Sequence, residues 1–475
     1  MLPQALPYQL KVRDYFKQQA STWEFFAAAR TREEQLISFK TELLKNTYQF
    51  RRGTDTALYE KIDLVSEKLE LGDLPITAYQ AQNANDPELN ASIVYLHREA
   101  HLVFSGPILE RLNEAELLAV IAHELTHIRL YTLLDGDLEV ADRIITAIAN
   151  NYNSDPPYYE TARLFRLYTE IFCDRGAYAV LGDAGPVITF LVKLATGLSE
   201  VNAESFIKQA EDVFSAEPGT QSGMPTHPEN FIRARALKLW HEEQGMAAPA
   251  AVVNGAVPGS EGTIGDVKAP ETVGTIEDVE TAGSEGVRGA EEAIVRMIEG
   301  KPELDRLDLF SQRELNELTA LFLQEYLRPK WLRSTLVMGL VREYFPGGLE
   351  MGRDNGGARS VGRGSEGSDS GFGGVRSGDG DGLAGRERLI DTLTGAHSSI
   401  RDYFAYVLLD FALADPSLEE MPAGRAFEFA GEMQLTAAYD PIYKKELQLS
   451  DKKWQQHKQK VFEAYATAAK DQSIL

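Results

Sequence analysis

Two imidazoles four residues apart, with a carboxylate directly after the first, stand at His123, Glu124 and His127 within the stretch Ala119 to Ile128. Apolar residues around them repeat at helical spacing, and on a helix positions i and i+4 share a face, so both rings can reach one ion. Zinc in a hydrolytic site takes three protein ligands and keeps one position open for water. Two His from one helix therefore leave a third ligand to be found. Glu124 lies beside the open position, where a carboxylate can take a proton from water. The chemistry these residues point to is zinc-dependent hydrolysis, with one Zn2+ per chain. The competing reading is a surface helix carrying two solvated His.

A third His at the sixth position after the second is excluded, because that position is Leu133, and the Gly usual in such sites is replaced by Leu130. An acidic ligand remains, with Glu139, Glu160 and Glu170 as candidates. Glu139 follows the Asp135-Gly136-Asp137 turn too closely to fold back on the ion. Glu160 and Glu170, ten residues apart, fall on different sides of one helix. Glu170 is preferred, because Glu170 and Asp174 form an i, i+4 pair among Leu164, Phe165, Leu167, Ile171 and Phe172, where two buried carboxylates are costly without a cation. One carboxylate can bind zinc while the other accepts the free ring N–H of a ligand His. Cys173, between them, is expected to point elsewhere as a buried apolar residue.

Several elements must position these side chains. Asn113 with Glu116 forms a capping box that starts the metal helix, and Leu117, Val120, Ile121, Leu125 and Ile128 give it an apolar side. Upstream, residues 8 to about 70 read as packing helices, with a capping box at Thr31 and Glu34. From Leu74 the alternation of Ile76, Ala78 and Gln80 marks a strand, and Ser92 to Leu96 and His101 to Phe104 read as a hairpin joined through Arg98-Glu99-Ala100. His97 and His101, also four apart, are read as ordinary turn residues. Residues 185 to 240 continue helical, with Phe190, Leu191 and Leu194 on one stripe.

A chain of 475 residues exceeds what one core usually supports, so two or three domains are expected. Its 48 basic and 72 acidic residues give a net charge of −24, which argues against binding nucleic acid or an anionic membrane by charge. A single cysteine cannot form an internal disulfide, the first thirty residues show no basic stretch leading into an apolar run, and no segment approaches eighteen consecutive apolar residues. The expectation is a cytoplasmic protein without a transmembrane segment.

His123-Glu124-x-x-His127, the later Glu170-x-x-x-Asp174, and Thr226-His227-Pro228 with Arg233 six residues after the His together resemble the CAAX-prenyl-protease and HtpX type of zinc metallopeptidase, over roughly residues 60–240. Asn90-Ala91, the short strand pair and Gly106-Pro107-Ile108-Leu109 add to that likeness. The resemblance implies a gluzincin endopeptidase in which His123, His127 and Glu170 hold zinc and Glu124 is the general base. It also implies that Asp174 supports a ligand, that His227 stabilises the oxyanion, and that Arg233 anchors the loop or helps bind substrate. The chain departs from the family where Thr126 replaces a usual Gly, in lacking the membrane helices of its best-known members, and in the short stretch between His127 and Glu170.

The fold expected is α+β and predominantly helical: a peptidase domain with a small sheet over 1–245, a disordered linker over 246–289, and an all-α domain over 290–475 interrupted by a Gly/Ser-rich insert at 346–385. In the last domain Ser311 and Glu314 cap a helix carrying Leu315, Leu318, Phe322 and Tyr326, structure resumes near Arg386, and His397 and His457 are read as surface residues. The function these features support is a zinc endopeptidase acting on protein or peptide substrates, with the helical domain recruiting substrate or a partner. An alternative is a weak or inactive metal-binding scaffold. A structural metal site, however, has no use for a base such as Glu124. A third reading is a hydrolase that acts on something other than a peptide.

Overall fold

The protein is described here from a computed structural model, covering residues 2–28, 33–82, 89–96, 99–247, 289–349 and 382–470. These fall into two compact units, Met1–Gly300 and Lys301–Leu475.

The first unit opens with helices α1 (Pro7–Lys17), α2 (Ala20–Ala27), α3 (Glu33–Asn46) and α4 (Thr56–Lys68). Thr31 and the Glu34 side chain lie outside the described residues, and so does their expected capping box. A short strand, β1 (Thr47–Gln49), interrupts the stretch expected to be all helix. Its three residues are too few to show an alternating pattern. With β2 (Ile76–Ala81), β3 (Asn90–Leu96) and β4 (Glu99–Ser105) it makes a four-stranded sheet in the order β1-β2-β4-β3. β2 and β4 run parallel, with Ile76 opposite Ala100, and the other pairs are antiparallel. Glu99 and Ala100 belong to β4 rather than to the turn, because both pair with β3. His101 is accordingly a buried strand residue and not a turn residue: its Nδ1 lies 3.2 Å from the Tyr79 hydroxyl. His97 lies outside the described residues.

After the single turn α5 (Ile108–Arg111), α6 (Glu114–Thr132) begins with the expected capping box. The Glu116 amide donates to Asn113 Oδ1 at 2.9 Å, and the Asn113 amide donates to Glu116 Oε2 at 3.0 Å. Lys193, on α9 (Gly185–Thr196), donates to the same Glu116 oxygen at 2.8 Å, so the box is closed by a buried ion pair. α6 ends where Leu134, Asp135 and Gly136 take positive φ. The chain turns there into α7 (Asp137–Ala149). Glu114–Ala149 contains an 18-residue window with a mean hydropathy of 1.2, long and apolar enough by composition to cross a membrane. Most of the apolar side chains in it lie within this unit's interior, among them Val120, Ile121, Leu125, Ile128 and Ile144.

α8 (Pro156–Leu181) crosses α6 at close range. Thr126 is fully buried and faces Gly176: a Cβ at Gly176 would lie 2.2 Å from Thr126 Oγ1. The bulk that Thr126 adds on one helix is thus accommodated by its absence on the other. α9, α10 (Ala203–Ala216) and α11 (Asn230–Ala247) complete this core from the expected helical stretch. Most of the expected linker, 248–288, lies outside the described residues.

A helix over 289–298, α12, then packs into the first unit. The domain expected to begin at 290 therefore begins at Lys301 instead. The cause is burial and charge: Ile294, Met297 and Ile298 are buried, and Glu291 pairs with buried Arg175 at 2.8 Å.

The described residues of the second unit are helices and their connections: α13 (Leu309–Tyr326), α14 (Thr335–Tyr344), α15 (Gly382–Gly395), α16 (Ser398–Leu413), α17 (Met421–Glu432), α18 (Thr436–Glu446) and α19 (Asp451–Lys470). α13 is capped not by Ser311 but by Asp308, whose Oδ1 accepts from the Ser311 amide at 2.7 Å. Helix resumes at Gly382, a few residues before the expected end of the insert, while 350–381 lies outside the described residues. His397 caps α16, and His457 packs on Tyr443 with Nε2 3.0 Å from its hydroxyl, so neither is a free surface residue.

Candidate metal centre

α6 presents His123, Glu124 and His127 toward α8, and α8 presents Glu170 and Asp174 in return. Glu170 Oε2 lies 3.4 Å from His123 Nε2, and Oε1 lies 3.7 Å from His127 Nε2. The two imidazoles and the distant acid therefore converge. Asp174 turns to the far side of the first ring, its Oδ1 3.1 Å from His123 Nδ1. Arg233, from the start of α11, donates to both oxygens of Asp174 at 2.8 and 2.7 Å and lies 3.3 Å from Glu170 Oε2. It is buried, with its guanidinium against these two carboxylates. His227 lies on the loop before α11 with its side chain 61% exposed, and its Nε2 is 3.5 Å from Glu170 Oε1. Glu139 and Glu160 are engaged elsewhere, with Arg143 at 2.8 Å and Arg163 at 2.6 Å.

These contacts set the electrostatics. Burial pulls the His123 ring toward neutrality, but the hydrogen bond to Asp174 and the Glu170 carboxylate beside the ring outweigh it and raise the ring to about 9. His127 lacks such bonds, and burial lowers it to about 4. Burial also raises both acids, Glu170 and Asp174, yet the Arg233 charge wins and holds each below the usual carboxylate range. Glu124, half-buried and without a cationic partner at contact distance, is pushed by burial up to about 7.

Does a zinc ion fit these residues? Glu170 Oε2 is buried and makes no hydrogen bond, although two ring nitrogens face the same carboxylate. That oxygen has the Arg233 guanidinium 3.3 Å away but no hydrogen bond, and a cation between it and the two rings would give it a direct partner. Imidazole and carboxylate are donors that zinc accepts. Occupancy at Nε2 requires His123 to give up its proton there, while Asp174 keeps the proton on Nδ1.

Sequence reasoning misplaced one residue. Cys173 does not point elsewhere: its Sγ lies within 4.8 Å of a ring nitrogen of both His123 and His127. The signal was present, since Cys173 is three residues after Glu170 and positions i and i+3 share a helix face. Two supports were missed outright. Gly176 gives α6 and α8 their close approach, and α12 supplies Glu291 to Arg175, directly after Asp174.

The sequence model of peptidase family M48 matches residues 54–136. The chloroplastic "plastoglobule-localized metallopeptidase 48" of Arabidopsis thaliana is 27% identical over 159 residues, which is 30% of this chain and 46% of that protein. This chain thus spans just under half the length of that relative. No solved structure matches the chain. The segment that carries His123, Glu124 and His127 is thus similar to peptidase family M48, a family of zinc metallopeptidases.

Proposed function

We propose that this chain is a zinc-dependent endopeptidase of the CAAX-prenyl-protease and HtpX type, hydrolysing peptide bonds of protein substrates. The observation that carries the reading is that the Glu170 carboxylate faces both rings, with Oε2 3.4 Å from His123 Nε2 and Oε1 3.7 Å from His127 Nε2. His123, His127 and Glu170 would hold the ion. Zinc in such a setting supplies Lewis-acid polarisation of the scissile carbonyl and lowers the pKa of water.

The remaining chemistry belongs to the protein. Glu124 takes the proton of the attacking water and passes it to the leaving amine, a task suited to a carboxyl raised toward neutrality. Asp174 fixes which nitrogen of His123 faces the site, and Arg233 fixes Asp174. His227, at the exposed mouth, donates to the oxyanion as charge builds on the carbonyl oxygen.

Casein or fluorogenic-peptide hydrolysis tests this with Glu124→Gln. The variant should retain zinc and lose hydrolysis by at least about 100-fold. Absence of hydrolysis by the zinc-loaded wild type, or full activity in the variant, overturns the reading.

A further inference from the structure

Three residues of α8 share the face turned toward α6: Glu170, Cys173 and Asp174. Asp174 is committed, since Arg233 and His123 take up its oxygens. Glu170 is less so, since its Oε2 makes no hydrogen bond and has only the Arg233 charge 3.3 Å away. Cys173 is the third. Its side chain is fully buried, where a thiol ordinarily behaves as a small apolar group. Its surroundings are not apolar, however, because ring nitrogens of His123 and His127 lie within 4.8 Å of Sγ. The Thr126 and Gly176 contact brings the two helices close enough for that. The two imidazoles and the thiol therefore lie within reach of one ion, and the Glu170 carboxylate faces the same two rings.

We propose that Cys173 Sγ is a ligand of this metal centre, joining His123, His127 and Glu170 and giving it a closed, four-ligand state. The inference rests on the metal reading made above. Thiolate and imidazole are the donors most used in closed zinc sites, whereas a hydrolytic site has three protein ligands and an open position. Binding breaks the S–H bond, sends its proton to solvent and forms one sulfur–metal bond, with no change of oxidation state. Release of the sulfur reopens the position. Removing the thiol therefore favours the open state while weakening metal binding.

Cobalt(II) is the probe, because it accepts the same donors and absorbs light. The full chain loaded with Co2+ should show visible d–d bands together with a near-ultraviolet thiolate-to-cobalt charge-transfer band. Cys173→Ser and Cys173→Ala should lose the charge-transfer band and keep the visible ones, and zinc-saturated Cys173→Ala should hydrolyse peptide faster than wild type. Visible bands that depend on His127 but come without a charge-transfer band in the wild type overturn the thiolate ligand and leave the His and Glu site standing. Failure of the chain to bind cobalt overturns the site itself, and the thiolate with it. A charge-transfer band with no gain in hydrolysis overturns the closed state alone. The wild-type spectrum decides the ligand question even if a variant fails to fold.

Discussion

The two units bury different kinds of side chain. Among the described residues, the first buries His101, Glu116, His123, Glu170, Asp174, Arg175, Lys193 and Arg233. The second buries, among its described residues, only two acidic ones, Asp308 and Asp415, and no basic one, and both acids accept hydrogen bonds from backbone amides at helix starts. Its interior is otherwise apolar and aromatic, with Phe322 5.0 Å from both Phe404 and Phe429. Charges removed from water weaken a core unless each has a partner. Of the eight in the first unit, His123, Glu170, Asp174 and Arg233 gather at one point. The candidate metal centre is in the first unit, and the second is built around an apolar core.

The sharpest way to break this comparison is Arg233→Met. It leaves Asp174 and Glu170 buried without their guanidinium, at a cost of about 3–5 kcal/mol. Zinc affinity should fall by about 10–100-fold as His123 loses its fixed support. Urea unfolding and metal titration measure the two, and an unchanged affinity would mean that Asp174 holds His123 unaided. In the second unit, Phe322→Ala should cost a similar ~3–5 kcal/mol by cavity formation while zinc content stays at the wild-type level.

A smaller effect isolates packing beneath the centre. Gly176→Ala should destabilise by about 1–3 kcal/mol through its clash with Thr126, and Thr126→Gly in the same chain should recover part of it. Additive losses in the double variant would show that the two positions are not coupled.

The smallest effect concerns His101. Burial lowers its pKa, the Lys40 charge adds to that, and Glu99 opposes both. The unfolded ring protonates near pH 6.5 while the folded one does not, so its share of stability is intact above about pH 6.5 and is lost as pH falls toward the folded value. Unfolding midpoints at pH 7.5 and 5.5 should therefore differ more for wild type than for His101→Gln.

Local physics made much of this legible in the sequence. Asn113 and Glu116 announce the start of α6, the i, i+4 spacing places His123 and His127, and the cost of burying Glu170 beside Asp174 picks that acid from three. What escaped the sequence depends on partners distant in the chain. β1 is too short to carry a pattern, and the parallel pairing of β2 with β4 leaves no local mark. Cys173 was misjudged because its apolar neighbours on α8 outweighed its shared face with Glu170. Arg175 finds Glu291 only through the tertiary fold, so the boundary at Gly300 could not be read from composition.

That late pairing also bears on how the molecule is made. Synthesis proceeds from the N-terminus, and domains generally fold as units while the chain emerges. Helices α1 to α11 are complete well before 289–298 leaves the ribosome, and until then Arg175 has no carboxylate from Glu291 to meet it. Maturation of the first unit therefore waits for its last helix, so a ribosome stalled between residues 247 and 289 would hold a nascent chain that has every metal-binding side chain but not yet its finished interior.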